Sequence, residues 1–453
     1  MTWMEELKTR LPKDAVSVNP TILEQHGRDE SYHAPHNPDA VVFAKSRDDV
    51  VEVMRIAAKH RVPVIPFAIG SSVEGHVIPV QGGISLDVTA MNQILEIRPE
   101  DFLVRVQPGV TRTQLNRALK PYGLFFPVDP GADASLGGMA ATNASGTTTV
   151  RYGTMRDQVR DLEVVLPGGE VIHTGSLAAK SSSGYHLTGL FVGSEGTLGV
   201  FTELWLRVYG LPERVMAIRA EFPDVSGCVK TATAVLGAGI PVARMELVDE
   251  RIIEAVNAYK GTSYPKVPTL FLEFHGNPEG LERDVQTARE LAEEEGCLGF
   301  AFDSDEESRQ QLWEARHSAA RAFMAQYPGR GMMTTDVCVP ISKMAQAVTD
   351  ARELLDREGV YGAVLGHIGD GNYHALIAVD TKDPEDVARA EAINEQLVEY
   401  ALACGGTCTG EHGVGLGKRK YQEKEHGRAL LVMKAIRSAL DPLGIMNPGK
   451  LID

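Results

Sequence analysis

Pro63-Val64-Ile65-Pro66-Phe67-Ala68-Ile69-Gly70-Ser71-Ser72 is an apolar strand that runs straight into a turn of small residues. A turn of this kind brings backbone N–H groups against a phosphate, because no bulky side chain stands between them. Upstream, Val41-Val42-Phe43 reads as a strand, and Ser46 with Asp49 three residues on resembles a capping box. Val50, Val51, Val53, Met54 and Ala57 then follow at helical spacing. Downstream, Asp161 to Leu166, Pro167-Gly168-Gly169 and Glu170-Val171-Ile172-His173 spell a β-hairpin. Short strands thus alternate with helical patterns from Ala40 to about Tyr209. Between them lies Asp129 to Thr149, loaded with Gly, Ala, Ser and Thr and almost uncharged. A linker has this composition. So does backbone packed closely against a flat ligand, which the ordered surroundings favour. No G-x-G-x-x-G follows the first strand, so a Rossmann dinucleotide site is not supported.

After Pro212 the character changes. Glu-rich helical stretches, Leu281 to Gly296 and Val387 to Cys404, alternate with strands such as Thr269 to Phe274. This pattern predicts an α+β second domain, an antiparallel sheet carrying helices. Arg428 to Asp453 reads as a helix ending in a Gly-Pro-rich tail. There is no internal repeat and no heptad series.

The 453 residues call for two domains, and 43% hydrophobic with 23% charged residues is the balance of a soluble globular protein. No apolar run is long enough to span a bilayer. A net charge of −16 argues against nucleic acid and against strong binding to an anionic membrane. Five cysteines in a long chain do not suggest a disulfide framework, and Cys404 and Cys408 lack a second pair for zinc. Met1 to Glu6 has neither the basic and apolar stretches of a signal peptide nor the acid-poor character of a transit peptide. The expected location is the cytoplasm.

The strongest local signal for chemistry is Gly366-His367-Ile368-Gly369-Asp370-Gly371-Asn372-Tyr373-His374, a turn between apolar strands. Folding it as a tight hairpin brings His367 and His374 together, half of a metal site. Spacing alone fits equally two histidines that merely flank a turn. The second piece is Thr407-Cys408-Thr409-Gly410-Glu411-His412-Gly413-Val414-Gly415. Its Glu-His pair between glycines offers a carboxylate ligand and an imidazole base, or else is an ordinary surface turn. A His₂Glu site with open positions suits a Lewis acid that lowers the pKa of a bound hydroxyl. The neighbouring His412 can then remove the proton. Gly413 to Lys418 lacks the spacing of a phosphate loop and is discounted.

Pro66 to Gly75, Pro130-Gly131 to Gly153, and Gly193-Ser194-Glu195-Gly196-Thr197-Leu198-Gly199 resemble the FAD-binding domain of the vanillyl-alcohol-oxidase flavoprotein superfamily. The C-terminal half is similar to the FAD-linked oxidase C-terminal domain. It carries Gly-His-x₆-His, Thr-Gly-Glu-His-Gly-Val-Gly and Met446-Asn447-Pro448-Gly449-Lys450. Trp313-Glu314-Ala315-Arg316-His317 and Thr335-Asp336-Val337-Cys338-Val339-Pro340 resemble the cytochrome-type D-lactate dehydrogenases within that superfamily. The resemblance spans residues 36–453. It implies an N-terminal extension over 1–35 and a two-subdomain FAD-binding domain over 36–212. A substrate or cap domain with a ferredoxin-like antiparallel sheet would occupy 213–425, and a tail over 426–453 would return to the FAD domain.

The same resemblance implies non-covalent FAD, since the covalent histidine of some relatives would fall near Ser71. Pro66, Ile69, Gly70, Ser71 and Ser72 would cradle the pyrophosphate. Pro130, Gly131, Ser135, Gly137, Gly138, Asn143, Ser145 and Gly146 would pass along the cofactor, with Gly138 allowing close approach to the isoalloxazine. Glu195, Gly199 and Val200 would line the adenine side or nearby backbone, and Asn447 would return to the flavin. His76 is expected to be structural. His367, His374 and Glu411 would hold a divalent metal, Zn, Mn or Fe. Arg316 would anchor a substrate carboxylate bidentately, and His412 would be the base.

Relatives acting on D-2-hydroxyglutarate carry Asn where this chain has Leu376, and Lys where Thr334 stands. The departure implies a small D-2-hydroxyacid, D-lactate first, with 2-hydroxybutyrate or glycolate as further substrates. A cytochrome, a quinone or an electron-transfer protein would take the electrons. Peripheral attachment at the inner face of a membrane and a homodimer are both compatible with this reading. Its rivals are the FAD subunit of a glycolate oxidase complex, an alkylglycerone-phosphate synthase-like transferase, and a flavin-binding protein without catalysis.

Overall fold

The computed structural model describes residues 1–303 and 305–452. The chain forms two compact units. The first comprises Met1–Ser145, Gly153–Leu211 and Glu411–Asp453; the second comprises Gly146–Tyr152 and Pro212–Gly410.

In the first unit, Ala40–Phe43 and Val64–Phe67 pair in parallel with the two sides of Ile84–Asp87. Parallel strands of one sheet need a crossover, and the helix Arg47–His60 supplies the one from Ala40–Phe43 to Val64–Phe67. Its start is fixed by the expected capping box of Ser46 and Asp49. Val50, Val53, Met54, Ile56 and Ala57 bury its apolar face in one core. Val64 donates its N–H to Ile445 O (2.8 Å) and accepts from Asn447 N (2.9 Å), so the C-terminal tail extends this sheet.

A second, antiparallel sheet runs in the order Ile94–Arg98, Leu103–Val106, Val200–Arg207, Val159–Val165, Val171–His173. The last two strands are the predicted hairpin. The small-residue segment from Asp129 to Thr149 is not irregular throughout: Leu136–Thr142 is a helix, capped by Ser135 and closed by Asn143 in the left-handed region. Two internal glycines hid it, since glycine is a poor helix former and only tertiary packing stabilises the turn. A Cβ on Gly137 would stand 2.5 Å from Pro108 Cβ, so the helix lies close against that residue.

The second unit is built on an antiparallel sheet. Its order is Gly299–Asp303, Arg214–Glu221, Thr269–Gly276, Val242–Val248, Gly362–His367, Asn372–Val379, Gly331–Thr334. The short strand Val337–Cys338 also pairs with Asn372–Val379. The two central hairpin strands are buried along their whole length, so helices cover both faces. One face packs on the helices Glu250–Lys260, Glu306–His317 and Ala319–Ala325. Asp249 ties three elements together, accepting from Ile252 N, from Val364 N and from the Arg352 guanidinium.

Candidate active site

In the hairpin, Leu365 stands opposite His374 and His367 opposite Asn372. His367 is therefore the diagonal neighbour of His374 on one face, within reach of long side chains. Their ring centroids are 5.7 Å apart and nearly perpendicular. Gly371 makes the tight turn: its φ is 83°, and a Cβ there would meet Val339 O.

Each imidazole is oriented through Nδ1. His367 Nδ1 donates to Glu246 Oε1 (2.6 Å), and His374 Nδ1 donates to the carbonyl of Thr335 (3.0 Å). A protonated Nδ1 on both rings places both lone pairs on Nε2, the tautomer that ligates a cation. Asp336 lies 3.7 Å from His374 Nδ1 and accepts from Asn372 Nδ2 and Thr409 Oγ1, both at 2.7 Å.

Glu246 was not singled out from the sequence. It sits in Val242–Val248, where Leu247 pairs with Gly366, so the register sets Glu246 across from His367. Its second oxygen accepts from Arg316 Nη2 at 2.6 Å. Burial, the largest influence, pushes this carboxyl up, but His367 and Arg316 outweigh it and hold it below the ordinary glutamate value. Arg316 is buried on the helix Glu306–His317, and its Nε has no hydrogen-bond partner among the described residues. A guanidinium held along one side with a buried donor in reserve fits a carboxylate ligand. The available signal was Arg244 and Glu246 alternating within an otherwise apolar strand. Arg244 belongs to a neighbouring group, in which His275 bridges Glu273 (2.8 Å) and the Tyr152 hydroxyl (2.9 Å).

In the first unit, the Ser145 hydroxyl donates to Glu411 Oε2 at 2.9 Å, and His412 Nε2 lies 3.9 Å from Glu411 Oε1. His76 Nε2 stands 3.3 Å from Glu195, and both are buried. Glu195 also accepts from Val414 N (2.7 Å) and Gly415 N (2.9 Å). Its carboxylate therefore clamps the loop after His412, and its N–H donates to Ala141 O (2.8 Å). Asn447 Nδ2 donates to the carbonyls of His76 (3.0 Å) and Glu195 (2.8 Å).

The expected cofactor residues divide by what their smallness does. Gly199 has no room for a Cβ, which would lie 2.6 Å from Val164 Cγ1, and Val200 is a core strand residue paired with Val165. Asn143 Oδ1 accepts from Thr154 Oγ1 and Arg156 N, which fixes the following turn. Pro66 lies in the strand Val64–Phe67 against Gly196; Pro130 is half-buried. Ser72 donates to Asp29 (2.8 Å), and Gly70 takes a φ of 72° beside exposed Ile69 and half-buried Ser71. Gly146 belongs to the second unit. By contrast, a Cβ on Gly138 would meet only Ser135 Oγ, and one on Gly131 would meet nothing. Ser194 Oγ and Asn447 Oδ1 are buried without a hydrogen-bond partner among the described residues. Open glycines and buried polar atoms of this kind fit a flat, polar cofactor.

Residues 38–175 match the family described as FAD binding domain, and 211–451 match FAD linked oxidases, C-terminal domain. The chain belongs to the FAD-linked oxidase family. It is 48% identical to "Probable D-lactate dehydrogenase, mitochondrial" of Danio rerio over 97% of this chain and 89% of the relative. It is 42% identical to "D-lactate dehydrogenase [cytochrome], mitochondrial" of Arabidopsis thaliana, over 98% of this chain and 81% of the relative. Glycolate oxidase subunit GlcD of Bacillus subtilis is 35% identical over 91% of this chain and 89% of its own length. Among solved structures, 4-ethylphenol oxidase from Gulosibacter chungangensis superposes with a TM-score of 0.81 at 20% identity, covering 99% of this chain and 96% of that one. An alkyldihydroxyacetonephosphate synthase gives 0.76 at 18%, covering 98% and 84%. These structures share the expected fold.

The expected cytoplasmic location is overturned, because the relatives named D-lactate dehydrogenase from zebrafish, Arabidopsis and two yeasts are mitochondrial. The composition of six opening residues does not determine a compartment. No helix among the described residues is long and apolar enough to cross a membrane.

Proposed function

We propose that this protein is an FAD-dependent oxidoreductase that converts D-lactate to the 2-oxoacid. The observation that carries the reading is the identity with two D-lactate dehydrogenases, 48% and 42%, over nearly the whole chain. The buried chain Arg316–Glu246–His367 supports it, because a 2-hydroxyacid needs a carboxylate anchor and a hydroxyl-activating group together.

Gly70, Ser71 and Ser72 would hold the FAD pyrophosphate, while Gly138 and Asn447 would admit the ring system. His367, His374 and Glu411 would hold a divalent cation, which suits two neutral imidazoles and a carboxylate without naming the metal. When bound, FAD supplies the hydride acceptor and the cation supplies positive charge beside the substrate hydroxyl. Arg316 binds and orients the carboxylate through its planar fork. His412 takes the hydroxyl proton onto its imidazole. Leu376 is apolar and Thr334 uncharged, so neither would give a second carboxylate a cationic partner. A cytochrome, quinone or electron-transfer protein would reoxidise the enzyme.

Anaerobic mixing with D-lactate should bleach the flavin, and L-lactate should not. A flavin that stays oxidised with D-lactate and short homologues, in the presence of Mn²⁺ or Zn²⁺, overturns the reading. The B. subtilis relative favours glycolate as a second reading, which preferential reduction by glycolate and copurifying subunits would reveal.

A further inference from the structure

Glu246 is fully buried in a strand at the centre of its sheet, and both of its oxygens are occupied. One accepts from His367 and the other from Arg316, each at 2.6 Å. A buried ion pair is a weak source of stability, since apolar residues of similar volume usually serve as well. Something other than stability therefore accounts for a carboxylate here.

The geometry points to Glu246 as a positioning residue that sets the spacing between the two groups of the substrate; the inference rests on the proposed metal and carboxylate sites. Through His367 it fixes the ring so that Nε2 is the ligating nitrogen, as carboxylates behind metal-binding histidines do. Through Arg316 Nη2 it fixes the plane of the guanidinium, leaving other donors of that fork for the carboxylate. One rigid side chain thus sets where the hydroxyl and the carboxylate are received. In a 2-hydroxyacid these groups sit on adjacent carbons; in a 3-hydroxyacid a further carbon separates them. Glu246 is on this reading the residue that selects the first class over the second. Geometric errors at such a site are felt strongly, because catalysis depends on near-attack placement.

Glu246→Gln tests this, since an amide can accept at only one of its two ends. FAD-loaded protein is stripped of cations with a chelator and titrated with Mn²⁺ or Zn²⁺. Affinity should fall roughly 10- to 100-fold, the range for such supporting carboxylates. KM for D-lactate should rise, and the preference for D-2-hydroxybutyrate over D-3-hydroxybutyrate should narrow, with flavin content retained. Glu246→Asp, too short to reach both partners, gives the same readouts if the amide variant fails to fold. Glu273→Gln removes a neighbouring buried carboxylate that serves His275 and should leave cation affinity at the wild-type value.

Wild-type cation affinity, KM and hydroxyacid preference in both Glu246 variants would overturn the inference. Loss of cation affinity to the same degree in Glu273→Gln would also do so, by showing a general effect of the sheet. Wild-type protein that binds no divalent cation would overturn the metal reading itself, and with it the His367 half of this one.

Discussion

Leu376 faces Thr334 across the antiparallel pair Asn372–Val379 and Gly331–Thr334, two residues along its strand from His374. Alternation puts Leu376 and His374 on the same face of the sheet. The two positions on which the proposed preference for a small hydroxyacid rests are thus cross-strand partners.

Leu376→Asn should shift selectivity away from D-lactate and towards D-2-hydroxyglutarate, read as the ratio of the two kcat/KM values. It should also destabilise the protein by about 2–4 kcal/mol, because Leu376 is only 3% exposed within an apolar cluster. An unchanged ratio in folded protein would remove Leu376 from the account of specificity.

Gly137→Ala and Gly138→Ala should separate packing from cofactor binding. The first puts a methyl 2.5 Å from Pro108 Cβ and should lower the melting temperature, by about 1–3 kcal/mol of stability. The second has only Ser135 Oγ nearby, at 3.1 Å, so the fold should tolerate it while bound flavin, measured by its visible absorbance, declines.

The buried His76–Glu195 pair makes stability depend on pH in a defined window. For His76, burial is the largest influence and pushes its pKa down, but Glu195 outweighs it and holds the value above the ordinary 6.5. For Glu195, burial again dominates and pushes up, yet His76 and the loop N–H groups hold it below the ordinary 4.5. The histidine's contribution is complete below 6.5 and is lost as pH rises through its raised value. The carboxylate's contribution is complete above 4.5 and is lost as pH falls through its lowered value. The difference in melting temperature between wild type and His76→Gln should therefore be greatest between those pH values and shrink on either side.

Arg352→Met should destabilise the second unit by roughly 3–5 kcal/mol, the usual penalty for leaving a buried carboxylate unpaired. Asp249 is fully buried and takes one of its bonds from Arg352, at 2.9 Å. Chemical denaturation should report the loss, and Arg352→Lys should recover part of it.

Two thiols should resist alkylation in the native protein. Burial pushes Cys338 up to about 12, with Asp336 and Asp370 adding to it, and raises Cys228 well above the ordinary range. Since the thiolate is the nucleophile, iodoacetamide at mildly alkaline pH should label both only after denaturation, as peptide mass spectrometry would show.

Local patterns carried much of the fold. The capping box at Ser46 and Asp49, the hairpin after Asp161 and the turn between His367 and His374 each lie within a few residues of chain. The helix Leu136–Thr142 was not legible, because its glycines read as loop and its stability comes from Pro108 and the surrounding core. At the candidate site the two histidines were legible, but their supports were not. Glu246 reaches His367 only through sheet register between segments far apart in sequence. The Glu195 carboxylate accepts from backbone donors at Val414 and Gly415, a contact that no local pattern announces.

The tail that pairs with Val64 also bears on how the chain is made. The first unit draws on segments that are made before and after most of the second unit. Its opening sheet must wait for Ile445, Met446 and Asn447 before that edge is closed. During synthesis the sheet edge at Val64 stays unpaired, the kind of surface that recruits foreign strands. The second unit, nearly continuous in sequence, lacks only Gly146–Tyr152 from its main run and has no such wait. Premature termination just short of Ile445 would thus release a chain with a complete second unit and an unfinished first one.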